Sequence, residues 1–264
     1  MSLVVTSALQ KYFPNLRPDL SRVEWESFLT DFIVQKQKET KGLVLRLNEN
    51  IAILEHQKEK ATILVSILEE AGGLTVRARK LMTTPEDIQK YEQKIKDFQD
   101  LFQLTLLKFD KTSIESGTGG VNLMNGDRLE TLFDTKGQNK LVTEGIVLSS
   151  QSLGIRPPNF STSYTLQNAR IDVMNAIDIV ITVRNTITAH IANLTINREF
   201  ALQSVDFAET AHQKIGSSDQ ETEVLSLKKL GMLGDKILGD EKLANPIQEE
   251  ILTSFASSPN MEDI

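Results

Sequence analysis

Gly120-Val121-Asn122-Leu123-Met124-Asn125-Gly126-Asp127-Arg128-Leu129 is the stretch in which the sequence changes its period. Asn125-Gly126-Asp127 is turn chemistry, since Asn, Gly and Asp tolerate the backbone angles that tight turns require. Gly117-Thr118-Gly119-Gly120 punctuates the chain just before it, and Lys136-Gly137-Gln138-Asn139 just after. The runs between, Leu129 to Phe133 and Leu141 to Leu148, are short and apolar enough for strands. Residues 116–158 therefore predict an insert of one or two β-hairpins. Pro157-Pro158 and the Ser/Thr-rich stretch to Thr165 are expected as its exit loop.

Outward from the insert, both flanks change to helical spacing. Upstream, from Leu47, the positions Ile51, Leu54, Ala61, Val65 and Leu68 follow alternating steps of three and four, interrupted only by Lys58. That pattern predicts a helix with a coiled-coil-like seam, ending at Gly72-Gly73. Thr84-Pro85-Glu86-Asp87 then offers an N-cap, a proline at the first helical position and acid in the first turn, so a second helix is expected to start there. Its seam is Ile88, Tyr91, Ile95, Phe98, Phe102, Thr105 and Phe109.

Downstream, Val173, Ile177, Val180, Ile187, Ile191, Leu194, Ala201, Val205 and Ala208 keep the same spacing, with neither proline nor glycine until Gly216. This predicts one very long helix packed against the earlier ones. Ser217-Ser218-Asp219, with Glu221 after it, predicts the cap of a last amphipathic helix carrying Val224, Leu227, Leu230, Leu233 and Ile237. Residues 240–264 lose the pattern and turn acidic, and are expected as a tail with a short helix at 246–255. The fold class expected is mainly α: an elongated antiparallel helical rod with a β-hairpin insert. The divisions expected are an N-terminal segment at 1–42, the rod at 43–239 with its insert at about 116–158, and the tail at 240–264.

Composition bounds what such a chain does. Of 264 residues, 40% are hydrophobic, enough for a buried core. With 29 basic and 36 acidic residues, the formal charge is -7, and basic and acidic residues alternate without a basic patch. That balance argues against nucleic acid and anionic lipid as partners. There is no cysteine, which excludes disulfides and thiolate metal sites. His56, His190 and His212 stand far apart, without the spacing of a zinc site. The run from Met1 to Ala8 lacks the length and basic start of a secretory signal, and no stretch has the length of a membrane span.

Five features invite a functional reading, and each has a plainer one. Gly117-Thr118-Gly119-Gly120 lacks the Lys-Ser/Thr of a phosphate-cradling loop and is read as an ordinary loop. Asp110-Lys111-Thr112-Ser113 sits at the end of a helical seam and is read as a helix exit rather than an aspartyl-phosphate loop. Asp219, Glu221 and Glu223 are read as capping and helix-dipole compensation rather than a cation or acid-base cluster. His190, one position before Ile191, is read as a satisfied or solvated flank of the seam. Arg184 and Arg198, fourteen residues apart, share one helix face in place of apolar residues. Each is read as an aliphatic stem along the seam with a surface ion pair, and the functional alternative is a salt bridge that fixes register. No catalytic, cofactor-binding or metal-binding residue is assigned.

The insert resembles one family. Gly120 to Leu129 is similar to the "G-V-N-L-L-N-G-D-x-L" stretch of bacterial flagellins, particularly those of alphaproteobacterial type. Phe133-Asp134-Thr135-Lys136-Gly137-Gln138-Asn139-Lys140-Leu141 resembles that family's "F-x-x-D-G-x-x-K-L" hairpin, and Ser152-Leu153-Gly154-Ile155 its "G-L-G-I" exit. Asn193-Leu194, Arg198-Glu199-Phe200 and Ser218-Asp219-Gln220-Glu221-Thr222-Glu223 resemble the family's C-terminal pattern, with one residue fewer between the arginine and the phenylalanine. The resemblance covers about 43–239.

It implies a structural subunit of the flagellar filament, a minor or divergent flagellin that self-assembles through terminal helices for motility and lies outside the cell, exported without a cleaved signal. The partners it implies are other flagellin subunits, then a flagellar export chaperone and cap or junction proteins, with no cofactor and no enzymatic activity. The sequence departs from the family at both ends. Pro14 and Pro18, followed by Trp25 and Phe28, interrupt a segment that the family keeps helical, and a proline inside a helix costs about 3 kcal/mol. The family's "G-x-x-V-N-S-A-x-D-D-P" turn is missing before the first long helix, where only Lys41-Gly42-Leu43-Val44 hints at it, and the tail from Asp240 extends past the usual end. A flagellin-derived interaction or regulatory protein that does not polymerise is therefore the alternative expectation.

Overall fold

The computed structural model describes residues 22–135 and 137–214. Pro14, Pro18, the capping cluster at Asp219, Glu221 and Glu223, the last amphipathic helix and the tail lie outside the described residues. Within them the chain is mainly α with a single two-stranded antiparallel hairpin. The order is α1 (Arg22–Arg79), α2 (Pro85–Lys90), α3 (Glu92–Ile114), β1 (Arg128–Leu132), β2 (Lys140–Glu144) and α4 (Ser163–Lys214).

α1 is 58 residues long and runs through both places where glycine suggested a stop. The boundary expected after Gly42 falls inside it, and so does the end expected at Gly72-Gly73. Glycine in a helix costs about 1 kcal/mol relative to alanine. Beyond the pair, Leu74, Thr75 and Ala78 are buried, and that burial outweighs a penalty of this size. The helix ends at Arg79, and Thr84 then takes up the extended conformation favoured before proline, φ -131° and ψ 161°.

The seam of α1 differs from expectation at one position. Ile51, Leu54, Ala61, Val65 and Leu68 are buried as the spacing predicts, but the residue that fills the step between Leu54 and Ala61 is Gln57, fully buried, while Lys58 is exposed. Steps of three then four and of four then three both reach Ala61 from Leu54, so periodicity alone does not separate the two.

Thr84 caps α2 as expected, its hydroxyl accepting the Asp87 N–H at 3.1 Å. The helix that starts there is not continuous. Tyr91, at φ -109° and ψ 16°, separates α2 from α3, although the ladder bonds on either side, Tyr91 N to Asp87 O and Ile95 N to Tyr91 O, remain at 2.9 Å. Ile95, Phe102, Thr105 and Phe109 are buried along α3, joined by Leu106 and Ser113. α4, at 52 residues, is the single long helix expected. It starts at Ser163, so the exit loop ends at Thr162 rather than Thr165, the two threonines exchanging N–H to hydroxyl bonds of 3.1 and 3.2 Å across the first turn.

The chain divides into two compact units. One comprises Glu49–Thr131 and Leu141–Ala192. In it the later part of α1 lies beside α3 and α4 and antiparallel to both. Gln57 bonds the backbone at Ser116, and the Lys108 ammonium stands 3.6 Å from Glu70. On the other flank Arg79 donates to Gln167 at 3.0 Å, and Gly72 lies beside Val173. Leu64, Leu68, Phe102, Phe109, Phe160, Val173 and Val180 fill the interior, with Phe102 and Phe160 edge to face at 5.4 Å. The other unit includes Leu132–Lys140, the start of α1 to Asn48 and α4 from Asn193. Its buried apolar residues include Ile33, Leu43, Leu47, Leu194, Ala201 and Val205. No helix among the described residues is long and apolar enough to cross a membrane.

Gly73 is helical and a Cβ built on it meets nothing within 4 Å. Gly73→Ala is therefore expected to raise stability by about 0.5–1 kcal/mol, read as an increased urea midpoint with an unchanged denaturant slope.

Candidate functional site

A helix leaves its last carbonyls without partners. α3 ends at Ile114, and the residues that follow satisfy all of its last four. Lys111 O accepts Glu115 N at 3.0 Å, and Thr112 O accepts the Ser116 hydroxyl at 2.6 Å. Asn122 reaches back and donates its amide to Ser113 O at 3.0 Å and to Ile114 O at 2.9 Å. Its own Oδ1 accepts Met124 N at 3.0 Å, so one side chain caps α3 and also braces the turn it belongs to.

The same stretch closes on itself. Asn122 N donates to the Asp127 carboxylate at 2.8 Å, and Asp127 N donates back to Asn122 O at 3.2 Å. Gly126, at φ +87°, takes the left-handed conformation that lets the chain reverse between them. Asn122 and Asn125, read from the sequence as shaping the hairpin turn, lie instead in this loop ahead of β1, while the turn between β1 and β2 is made by residues 133–139. Asn122 acts in the loop through its side chain and Asn125 through its backbone, which bonds Asn122 O at 3.0 Å and bridges to Val147.

Gln57 locks this loop to α1. Its amide donates to Ser116 O at 2.8 Å and to Val121 O at 3.4 Å, while its oxygen accepts Leu123 N at 3.2 Å. A side chain thereby occupies the place of a neighbouring strand. Asn50, two turns earlier on α1, donates to the Thr131 hydroxyl on β1 at 2.9 Å. On the far side of the loop, Ile146 N and Leu148 N donate to Leu123 O and Met124 O, both at 2.8 Å. β2 stops at Glu144 instead of running to Leu148, because from Gly145 onward the backbone serves the loop rather than β1. The approach there is tight enough that a Cβ on Gly145 would fall 2.2 Å from Asp127 O.

The hairpin tip uses a carboxylate in a similar way. Asp134 is buried and accepts Gln138 N at 3.0 Å and Asn139 N at 2.6 Å, with Gly137 at φ +71° completing the reversal.

The features that invited chemistry are placed as follows. Gly117 to Gly120 is a tight turn with Thr118 and Val121 exchanging bonds of 2.9 and 3.0 Å, and a helix, α3, leads into it where a phosphate loop would follow a strand. Asp110 lies within α3, where its carboxylate accepts the Ser150 N–H at 2.6 Å and the Ser150 hydroxyl at 2.8 Å. His190 is half-buried, its Nδ1 2.7 Å from the Thr143 hydroxyl on β2. Burial without a nearby anion pushes its pKa below the ordinary histidine value.

Arg198 pairs with its neighbour Glu199 at 2.7 Å, and its cross-helix contact, 3.5 Å, is to the neutral Asn48 on α1. Arg184 and Arg198 are both half-exposed. Sequence reasoning missed Arg156 and Asp172, a two-pronged pair at 2.8 and 2.9 Å that fixes the exit loop on α4. The guanidinium holds the nearly buried Asp172 carboxyl below its usual range.

Among the described residues no three His, Asp or Glu side chains converge as a metal ion would require, and no buried side-chain nitrogen or oxygen lacks a partner. The polar groups of the insert are committed to backbone bonds within it and to side chains of the helices beside it, so what the arrangement does is hold a hairpin against α1 and α4. The chain matches no protein-family model and no curated protein.

Gln57→Leu removes both ends of the lock and strands a buried N–H and carbonyl, each costing about 1–3 kcal/mol. The expected loss is about 2–4 kcal/mol by urea unfolding, with faster amide exchange at Leu123. For His190, a folded pKa below the unfolded value means that the unfolded state binds more protons as pH falls below about 6.5. Stability is expected to be full above that pH and to fall below it, and His190→Gln to flatten that limb of the melting temperature against pH.

Proposed function

We propose that this chain is a structural subunit related to the bacterial flagellins, exported through the flagellar channel without a cleaved signal and added to the extracellular filament, with other flagellin subunits as its partners and no catalysis of its own. The observation that carries the reading is the order of three stretches, Gly120 to Leu129, Phe133 to Leu141 and Ser152 to Ile155, each similar to the corresponding flagellin pattern.

What their described residues do supports a structural reading. Asn122, Gly126 and Asp127 close a loop, Asp134 closes the hairpin tip, and Ser152 donates to Val147 O at 2.6 Å to close the exit turn. Two helices of 58 and 52 residues, packed through their own apolar seams, give the long continuous elements on which a structural subunit is built. Open-ended assembly needs two different surfaces on one subunit, so that contacts propagate without closing.

The second reading, a flagellin-derived protein that binds flagellar components without polymerising, is favoured by Pro14 and Pro18 in the segment that the family keeps helical. Sedimentation of the full chain, alone and with a standard flagellin as seed, separates the two. Pelletable filaments or incorporation into seeded ones are expected for the subunit, whereas a monomer that stays in the supernatant under every seeding condition would rule that reading out.

A further inference from the structure

α3 carries large apolar side chains on the face opposite its buried seam. Leu101, Leu104, Leu107 and Ile114 are 48%, 60%, 54% and 68% exposed. At about 100° per residue they span an arc of roughly 140°, and the same arc carries Asp97, Asp100, Lys108 and Lys111.

The order along this face is symmetrical about Leu104. Leu101 and Leu107 lie three residues to either side, Asp100 and Lys108 four, and Asp97 and Lys111 seven. Read from one end the face is acidic, then apolar, then basic. Read from the other it is the reverse, so an antiparallel copy of α3 opposes acid to base at both ends and leucine to leucine in the middle. A parallel copy would oppose acid to acid. The existing bonds of these residues are surface ones: Lys108 to Glu70 at 3.6 Å, Lys111 to Glu115 at 3.8 Å and Gln93 to Asp97 at 2.9 Å. Exposed pairs of this kind hold little energy and exchange partners readily.

We propose that this face of α3 is a two-fold contact with a second copy of the chain, centred on Leu104, with Asp97 and Asp100 of one copy meeting Lys108 and Lys111 of the other. The charge order selects the occupant. A membrane surface would favour a uniformly basic flank, and a different protein would have to present the same sequence of charges in reverse, which α3 itself already does. The contact is isologous and closes at two copies, so it is separate from the open-ended assembly proposed above and stands without it. One helix face falls below the area of a permanent interface, which makes the dimer weak and dependent on concentration.

The chain contains no cysteine, so Leu104→Cys in the full chain introduces a single thiol at the two-fold axis. Mild oxidation is expected to link L104C into covalent dimers many times faster than Met174→Cys, a control at an equally exposed position on α4. In the cysteine-free background, D97K/D100K and K108E/K111E are each expected to be monomeric by sedimentation equilibrium, and an equimolar mixture of the two to dimerise. Circular dichroism melts of each variant check that the fold is retained. Equal linking of L104C and M174C, or a mixture that stays monomeric while both variants remain folded, would overturn the proposal, and the first outcome would point to association through other surfaces.

Discussion

A buried glutamine in the middle of an apolar helix seam is the constraint on which the insert depends. The backbone of residues 116–123 has no strand beside it, yet it is packed against α1, and buried amides and carbonyls without partners cost about 1–3 kcal/mol each. Gln57 supplies both a donor and an acceptor at one point, from a planar carboxamide that in asparagine would be one methylene shorter. Around the loop so held, Asn122 caps α3, Gly145 passes close to Asp127, and the chain beyond β2 leaves the sheet to pair with Leu123 and Met124.

Most of the helices were legible because their signals were redundant. α4 has a seam interrupted only at Arg184 and Arg198 and no proline or glycine from Ser163 to Lys214, and α2 has a threonine cap with proline behind it. Where two signals compete, the sequence does not say which is stronger. Gly72-Gly73 reads as a stop, but the apolar residues on either side are in register and their burial exceeds the local cost. The hairpin was legible from its turns, while the end of β2 was not, because the partners that draw its backbone away lie more than twenty residues upstream.

The polar residues of the insert were legible to unequal degrees for a related reason. Asn122 and Asp127 act within a few residues of themselves, and turn chemistry is local. Gln57, Asp110 and Asp172 act on backbone or side chains far along the chain, and their residue types are ordinary on a helix surface. Gln57 differs from a solvated glutamine only by a one-residue choice in the seam, a choice that becomes visible once the loop packed over it is known.

The distances in sequence spanned by these bonds also set an order in time. The Asn122 bonds to α3 close eight or nine residues, whereas the Gln57 bonds close fifty-nine to sixty-six. Loop closure grows as three-halves of RT times the logarithm of length, so joining α1 to the loop costs about 1.7 kcal/mol more than joining the loop to α3. The end of α3 and its turn are therefore cheaper to close than the contact with α1, and besides the carbonyls that Ile146 and Leu148 fill they leave open the positions that face Gln57. Those positions are a template that waits for α1, and the long helix finds its register by docking one glutamine.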